Sequence, residues 1–109
     1  MQILTGAQRK YLRGLAHGLK PLAQVGRQGL TEAVLSSLDQ TLESHELVKV
    51  RFLDFQDEKR ELSEEISQRL ECAKVGMIGH VAIFFRPAAD PDARRIVLPK
   101  PRSAEDGSS

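Results

Sequence analysis

The 109-residue chain has one cysteine, Cys72, no tryptophan, one tyrosine and four phenylalanines. A single thiol excludes an internal disulfide and any cysteine-rich zinc site, and it suits a reducing compartment. So few rings argue against a surface that reads bases by stacking. No apolar run approaches the roughly 18 residues of a membrane span, and the opening MQILTGAQRKYLRG reaches basic residues without the apolar core of a secretory signal. We therefore expect a cytoplasmic protein that does not engage a membrane. The most informative scarcity is local: no acid precedes Glu32.

What is present divides unevenly along the chain. With 40% hydrophobic and 28% charged residues the composition is that of an ordinary folded domain. The length allows one domain, expected over residues 1–98, with residues 99–109 as a disordered tail poor in apolar anchors. The net charge of +1 hides a segregation: residues 1–31 carry +5, residues 32–73 carry −6 and residues 74–109 carry +2. A polyanion responds to local potential, so a nearly neutral domain with one positive end can bind nucleic acid.

Periodicity sets out the elements. Thr5 with Gln8 forms a capping box that starts a first helix, expected to end near His17-Gly18 before the Lys20-Pro21 break. On a helical wheel Tyr11, Leu12, Leu15 and Leu19 share an apolar arc, and Arg9, Lys10, Arg13, His17 and Lys20 share the opposite one. A short strand over residues 22–25 leads into Gly26-Arg27-Gln28-Gly29. Thr31 caps a second helix with Val34, Leu35, Leu38 and Leu42 at helical spacing, ending near Ser44. Residues 47–53 alternate as a half-buried strand, with Val48, Val50 and Phe52 on one face and Lys49 and Arg51 on the other. Asp57 is the expected cap of a third, acidic helix whose apolar stripe is Leu62, Ile66 and Leu70. Two strands follow, over residues 73–78 and 81–86, both expected inside the sheet and separated by Gly79-His80 as a tight connection or bulge. Ile96-Val97-Leu98 is expected as a short edge strand. The order helix, strand, helix, strand, helix, strand, strand predicts an α+β domain with a mixed four-stranded sheet and packed helices.

The constellation that bears on function is the Gly26-Arg27-Gln28-Gly29 loop ahead of a capped helix. Two glycines let a backbone turn close to a ligand, amides at a helix start suit a phosphate, and Arg27 adds a bidentate donor. A GxxG taken alone is most often a plain turn; the acid-free basic helix beside it shifts the balance. Arg9, Lys10, Arg13, His17 and Lys20 are read as phosphate contacts, since a stripe of charge can follow a backbone without reading bases. Lys49 and Arg51 extend that patch or, as an alternative we favour slightly, serve as ordinary strand-face cations. His17, His45 and His80 match no metal or acid–base spacing, so no catalytic residue, metal or cofactor is assigned. Cys72 follows a helix end and is expected to be buried and inert.

The stretch LTGAQRKYLRGLAHGLKPLAQVGRQGLTEAV, then HELVKVRF, DEKRELSEEI and VGMIGHVAIFFRP, resembles the small bacterial YhbY-type proteins, stand-alone CRM domains of RNA splicing and ribosome maturation. The likeness runs in order from residue 3 to about residue 87. It implies a fold similar to the C-terminal domain of translation initiation factor three with an added N-terminal helix. It also implies binding of structured RNA, with ribosomal RNA or precursors of the large ribosomal subunit as partner. Carried over, Gly26, Arg27, Gln28, Gly29 and the helix-one cations are the expected contacts; the family often has lysine where Arg27 stands. The expectation is a non-catalytic, monomeric RNA-binding protein assisting large-subunit assembly. The alternatives are a protein–protein adaptor docking through acidic helix three and, with less support, a small hydrolase built on a histidine.

Overall fold

The computed structural model describes residues 4–99. The elements come in the expected order: α1 (Gly6–His17), β1 (Ala23–Val25), α2 (Glu32–His45), β2 (Leu47–Phe52), α3 (Lys59–Leu70), β3 (Ala73–Ile78) and β4 (Val81–Phe85), with short 3-10 turns at Gln56–Glu58 and Pro91–Ala93. They build one mixed sheet in the order β1-β2-β4-β3. β1 runs parallel to β2, a pairing that needs a crossover, and α2 supplies it; β4 is antiparallel to both β2 and β3.

Not both of the last two strands lie inside the sheet, as the sequence led us to expect. β4, almost wholly apolar, takes the central place beside β2, while β3 forms an edge. The compositions explain the difference: Lys74 and Gly76 suit an edge, where a charge and an irregular ladder are tolerated. Gly79-His80 is a tight two-residue connection with Gly79 at φ +59° and Ile78 paired to Val81. The irregularity of register lies elsewhere, between Lys74 and Gly76.

Alternation along the strands divides the interior into two clusters. On one face Val48, Val50, Phe52, Ala82 and Phe84 pack with Leu35, Leu38 and Leu42 of α2 and Ile66 of α3. On the other, Leu47, Val75, Ile83 and Phe85 pack with Leu4, just ahead of α1, and with Leu12 and Ala16, so α1 is the one helix on this face. Its cap is the expected box: Gln8 N donates to Thr5 Oγ1 at 3.1 Å and Thr5 N donates to Gln8 Oε1 at 3.0 Å. The buried stripe of α1 is Gln8, Leu12 and Ala16, rotated from the apolar arc of the wheel; Tyr11, Leu15 and Leu19 are exposed. Small Ala16 lets the helix approach the sheet closely, and Gln8 is tied at both ends of its amide, since its Nε2 also donates to the Pro99 carbonyl at 3.0 Å.

Three further expectations need correction. Asp57 does not cap α3: it lies within the 3-10 turn that follows Phe55, and the capping position falls to Glu58, which makes no side-chain cap bond. The buried positions of α3 are Ser63, Ile66 and Ser67, with Leu62 and Leu70 only half-buried. Serine is tolerated there because each hydroxyl finds a nearby carbonyl, Ser63 donating to Lys59 O at 2.6 Å and Ser67 to Cys72 O. Residues 96–98 form no strand; they run as an extended strap that packs Ile96 and Leu98 on the α1-side cluster. At its start Ile96 N is taken by Glu46, whose carboxylate accepts from it at 3.0 Å and from Ala88 N and Arg95 N at 2.8 Å. Of the expected tail, Pro99 is held by Gln8, and residues 100–109 lie outside the described residues.

Candidate nucleic-acid interface

The basic flank of α1 is set by the rotation that buries Leu12 and Ala16. Arg9, Lys10, Arg13 and His17 are exposed along it. Arg13 is steered by its stem: a Cβ placed on Gly76 of β3 would come within 3.2 Å of Arg13 Cδ, so the arginine lies across bare backbone and presents its head to solvent. Further along, His17 borders a hollow of about 270 Å3 whose lining includes Pro21, Lys49, Arg51, Ile78 and Val81. Here α1 has ended and the sheet face is open.

Arg51 links this hollow to the glycine loop. It stands opposite Gln24 on β1, two residues before Gly26, and opposite Val81 on β4. In the loop, Gly29 N donates to Gly26 O at 3.0 Å and closes the turn, leaving Arg27 and Gln28 exposed at its tip. The amides of Arg27 and Gln28 have no acceptor among the described residues. Gly29 is buried at φ +72°, a conformation that favours glycine. Thr31 Oγ1 then accepts from Val34 N at 3.1 Å, starting α2 as expected. Glu32 in that first turn is drawn off by Arg69 at 2.8 Å, which offsets its repulsion of an anion.

Two of the sequence candidates are placed differently from the rest. Lys49 Nζ donates to Ala16 O and Leu19 O, both at 2.9 Å, and so closes the C-terminus of α1. Lys20 lies beyond the end of the helix, and it borders a groove on the opposite flank of α1 from His17. Neighbours that the sequence did not point to are Leu53 and Asp54, whose amides donate to Val25 O at 2.9 and 3.3 Å and brace the loop's root. Nothing local could signal them, since the pairing forms only once β1 and β2 align.

Among the described residues three cations are held in ion pairs, and the others are not. Arg69, Lys74 and Arg86 are committed to carboxylates, Arg86 reaching Asp39 at 2.7 Å and Glu43 at 3.4 Å. Arg9, Lys10, Arg13, Arg27 and Arg51 form no ion pair among the described residues, nor do Lys20, Lys49, Lys59, Arg60, Arg94 and Arg95. No group of three or more His, Cys, Asp or Glu placed to hold a metal occurs among the described residues, and no helix there is long and apolar enough to cross a membrane.

The chain matches the CRS1/YhbY (CRM) domain model over residues 4–86. It is 36% identical over 101 residues to a Haemophilus influenzae protein named "RNA-binding protein", covering 92% of this chain and 99% of that one. It is 30% identical over 98 residues to the Bacillus subtilis protein named "Probable RNA-binding protein YqeI", covering 89% of this chain and 100% of that one. The solution structure of a hypothetical protein of Staphylococcus aureus, described there as a candidate RNA-binding protein, superimposes with a TM-score of 0.74 at 37% identity over 89% of this chain and all of that one. Family model, relatives and fold agree, and the chain belongs to the CRS1/YhbY (CRM) domain family.

Proposed function

We propose that this chain is a non-catalytic RNA-binding protein that grips a structured RNA by its sugar-phosphate backbone and assists assembly of the large ribosomal subunit. The single observation that carries the reading is that the exposed cations along α1, Arg9, Lys10 and Arg13, and those beyond His17 toward the glycine loop, Arg51 and Arg27, have no carboxylate partners. Free amides at the tip of the glycine loop add donors of fixed direction, suited to phosphate oxygens. The names of the relatives as RNA-binding proteins support the ligand class. Gly26, Gln28 and Gly29 shape the loop, while Lys49 secures α1 from below. The adaptor alternative through α3 has less support, because Glu64 and Glu65 already meet Lys74 and Arg69.

The test is the salt dependence of binding to ribosomal RNA fragments. Each phosphate contact removed lowers the slope of log K against log salt by roughly 0.7 to 0.9. Replacing Arg9, Arg13 and Arg27 by glutamine is expected to weaken binding and to flatten the slope by about two units. Unchanged affinity and slope would reject the interface. Sedimentation of the chain with ribosomal precursors from growing cells tests the assembly role; co-migration with mature particles alone would count against it.

A further inference from the structure

α1 has a second exposed flank, and its chemistry is unlike the first. Tyr11, Leu15 and Leu19 stand 40 to 43% exposed, and Leu22 in the following loop is 54% exposed. Leu15, Leu19 and Leu22 with Ile96 of the strap line a groove of about 480 Å3. Contiguous apolar exposure of this kind on a small domain marks an interaction surface. The polar groups of the groove are Lys20, His45 and Arg95, and no carboxylate lines it. A nucleic-acid backbone gains nothing from leucines, whereas an amphipathic peptide segment would bury them.

We propose that this groove docks an acidic amphipathic segment of a partner protein, its aliphatic or aromatic side chains seated on Leu15, Leu19 and Leu22 and its carboxylates meeting Lys20 and Arg95. Charge complementarity selects the occupant: a basic or neutral segment would leave the two cations facing like charge or apolar surface. The groove faces away from the His17 and Arg51 side of α1, so one helix presents RNA contacts along one flank and a protein contact along the other. Its outer wall is the strap that Glu46 holds through Arg95 N and Ile96 N, which keeps Ile96 in place before any partner arrives.

A phage-displayed library of short random peptides panned on the full chain tests this. Recovered peptides are expected to combine Asp or Glu with Leu, Ile or Phe, and their affinity for the chain by fluorescence anisotropy to fall roughly tenfold on Leu22→Ser or Arg95→Glu. Both substitutions sit on exposed side chains, and Arg27→Ala is the control expected to leave peptide binding unchanged. Peptides without acids, or binding indifferent to both substitutions, would overturn the proposal. So would a dimer in sedimentation equilibrium that Leu22→Ser dissociates, which would give the groove to a second copy. RNA affinity measured on the same variants separates the two readings: a loss on Leu22→Ser would place nucleic acid in the groove, and no loss on Arg27→Ala would count against the RNA interface alone.

Discussion

The ring of Phe55 lies against Gly29: a Cβ placed on the glycine would meet the ring's Cε2 at 3.5 Å and its Cζ at 3.8 Å. Both residues hold a left-handed backbone, Gly29 at φ +72° and Phe55 at φ +56°. The loop before α2 and the turn before α3 thus brace each other, and the second holds the first in shape.

The two glycines of the loop are therefore unequal. Gly29→Ala forces an L side chain into the left-handed region and is expected to cost about 1 to 2 kcal/mol. A Cβ on Gly26 meets nothing within 4 Å, so Gly26→Ala is expected to change stability by less than about 0.5 kcal/mol. Urea unfolding of the two variants checks the contrast.

Lys49 and Arg51 are alternate residues on one strand face with opposite expected phenotypes. Lys49→Met removes two hydrogen bonds to the end of α1 and is expected to lower stability by about 1 to 2 kcal/mol. Arg51→Ala, at an exposed side chain without an ion pair among the described residues, is expected to leave the urea midpoint nearly unchanged while weakening RNA binding. Equal loss of stability in both would show that Arg51 also serves the fold.

Glu46 ties stability to pH. The residue is only 2% exposed, and burial by itself would raise its pKa; the amides of Ala88, Arg95 and Ile96, helped by the charge of Arg94, more than offset this and hold the carboxyl below its usual value. A lowered folded-state pKa gives stability that is fully present above the unfolded value, about 4.3, and is lost as pH falls through the folded one. At neutral pH, Glu46→Gln is expected to be less stable than the parent by about 1 to 3 kcal/mol, with the gap narrowing under acid. Hydrogen exchange at Ala88, Arg95 and Ile96 should quicken in the variant first.

Cys72 is expected to resist alkylation. Burial raises its thiol to about 11, against a weaker opposing pull from Arg86, so at pH 8 only about one molecule in a thousand carries the thiolate. Iodoacetamide should label it at the rate of unfolding; rapid labelling of the native chain would contradict the packing around Ile66 and Phe84.

Local chemistry was legible from the residues. The Thr5 and Gln8 box, the Thr31 cap, the alternation of β2 and the two-residue turn at Gly79 each depend on neighbours a few positions apart. What was hidden depends on partners that only the fold brings close. Glu46 reads as one more acid in an acidic stretch, yet its partners lie 42 to 50 residues away. Lys49 shows its purpose only when α1 is laid over β2. The basic stripe was visible because charge needs no partner to be seen; that Lys20 leaves it follows from where α1 stops.

Because α1 is the one helix on its side of the sheet, with only the strap residues Ile96 and Leu98 beside it, the cationic surface is not a detachable arm. A fragment beginning after Lys20 would bare Leu47, Val75, Ile83 and Phe85 to water and cast the strap adrift from Gln8. The cations of α1 therefore sit on a helix whose inner side, Leu12 and Ala16, is fixed by the fold.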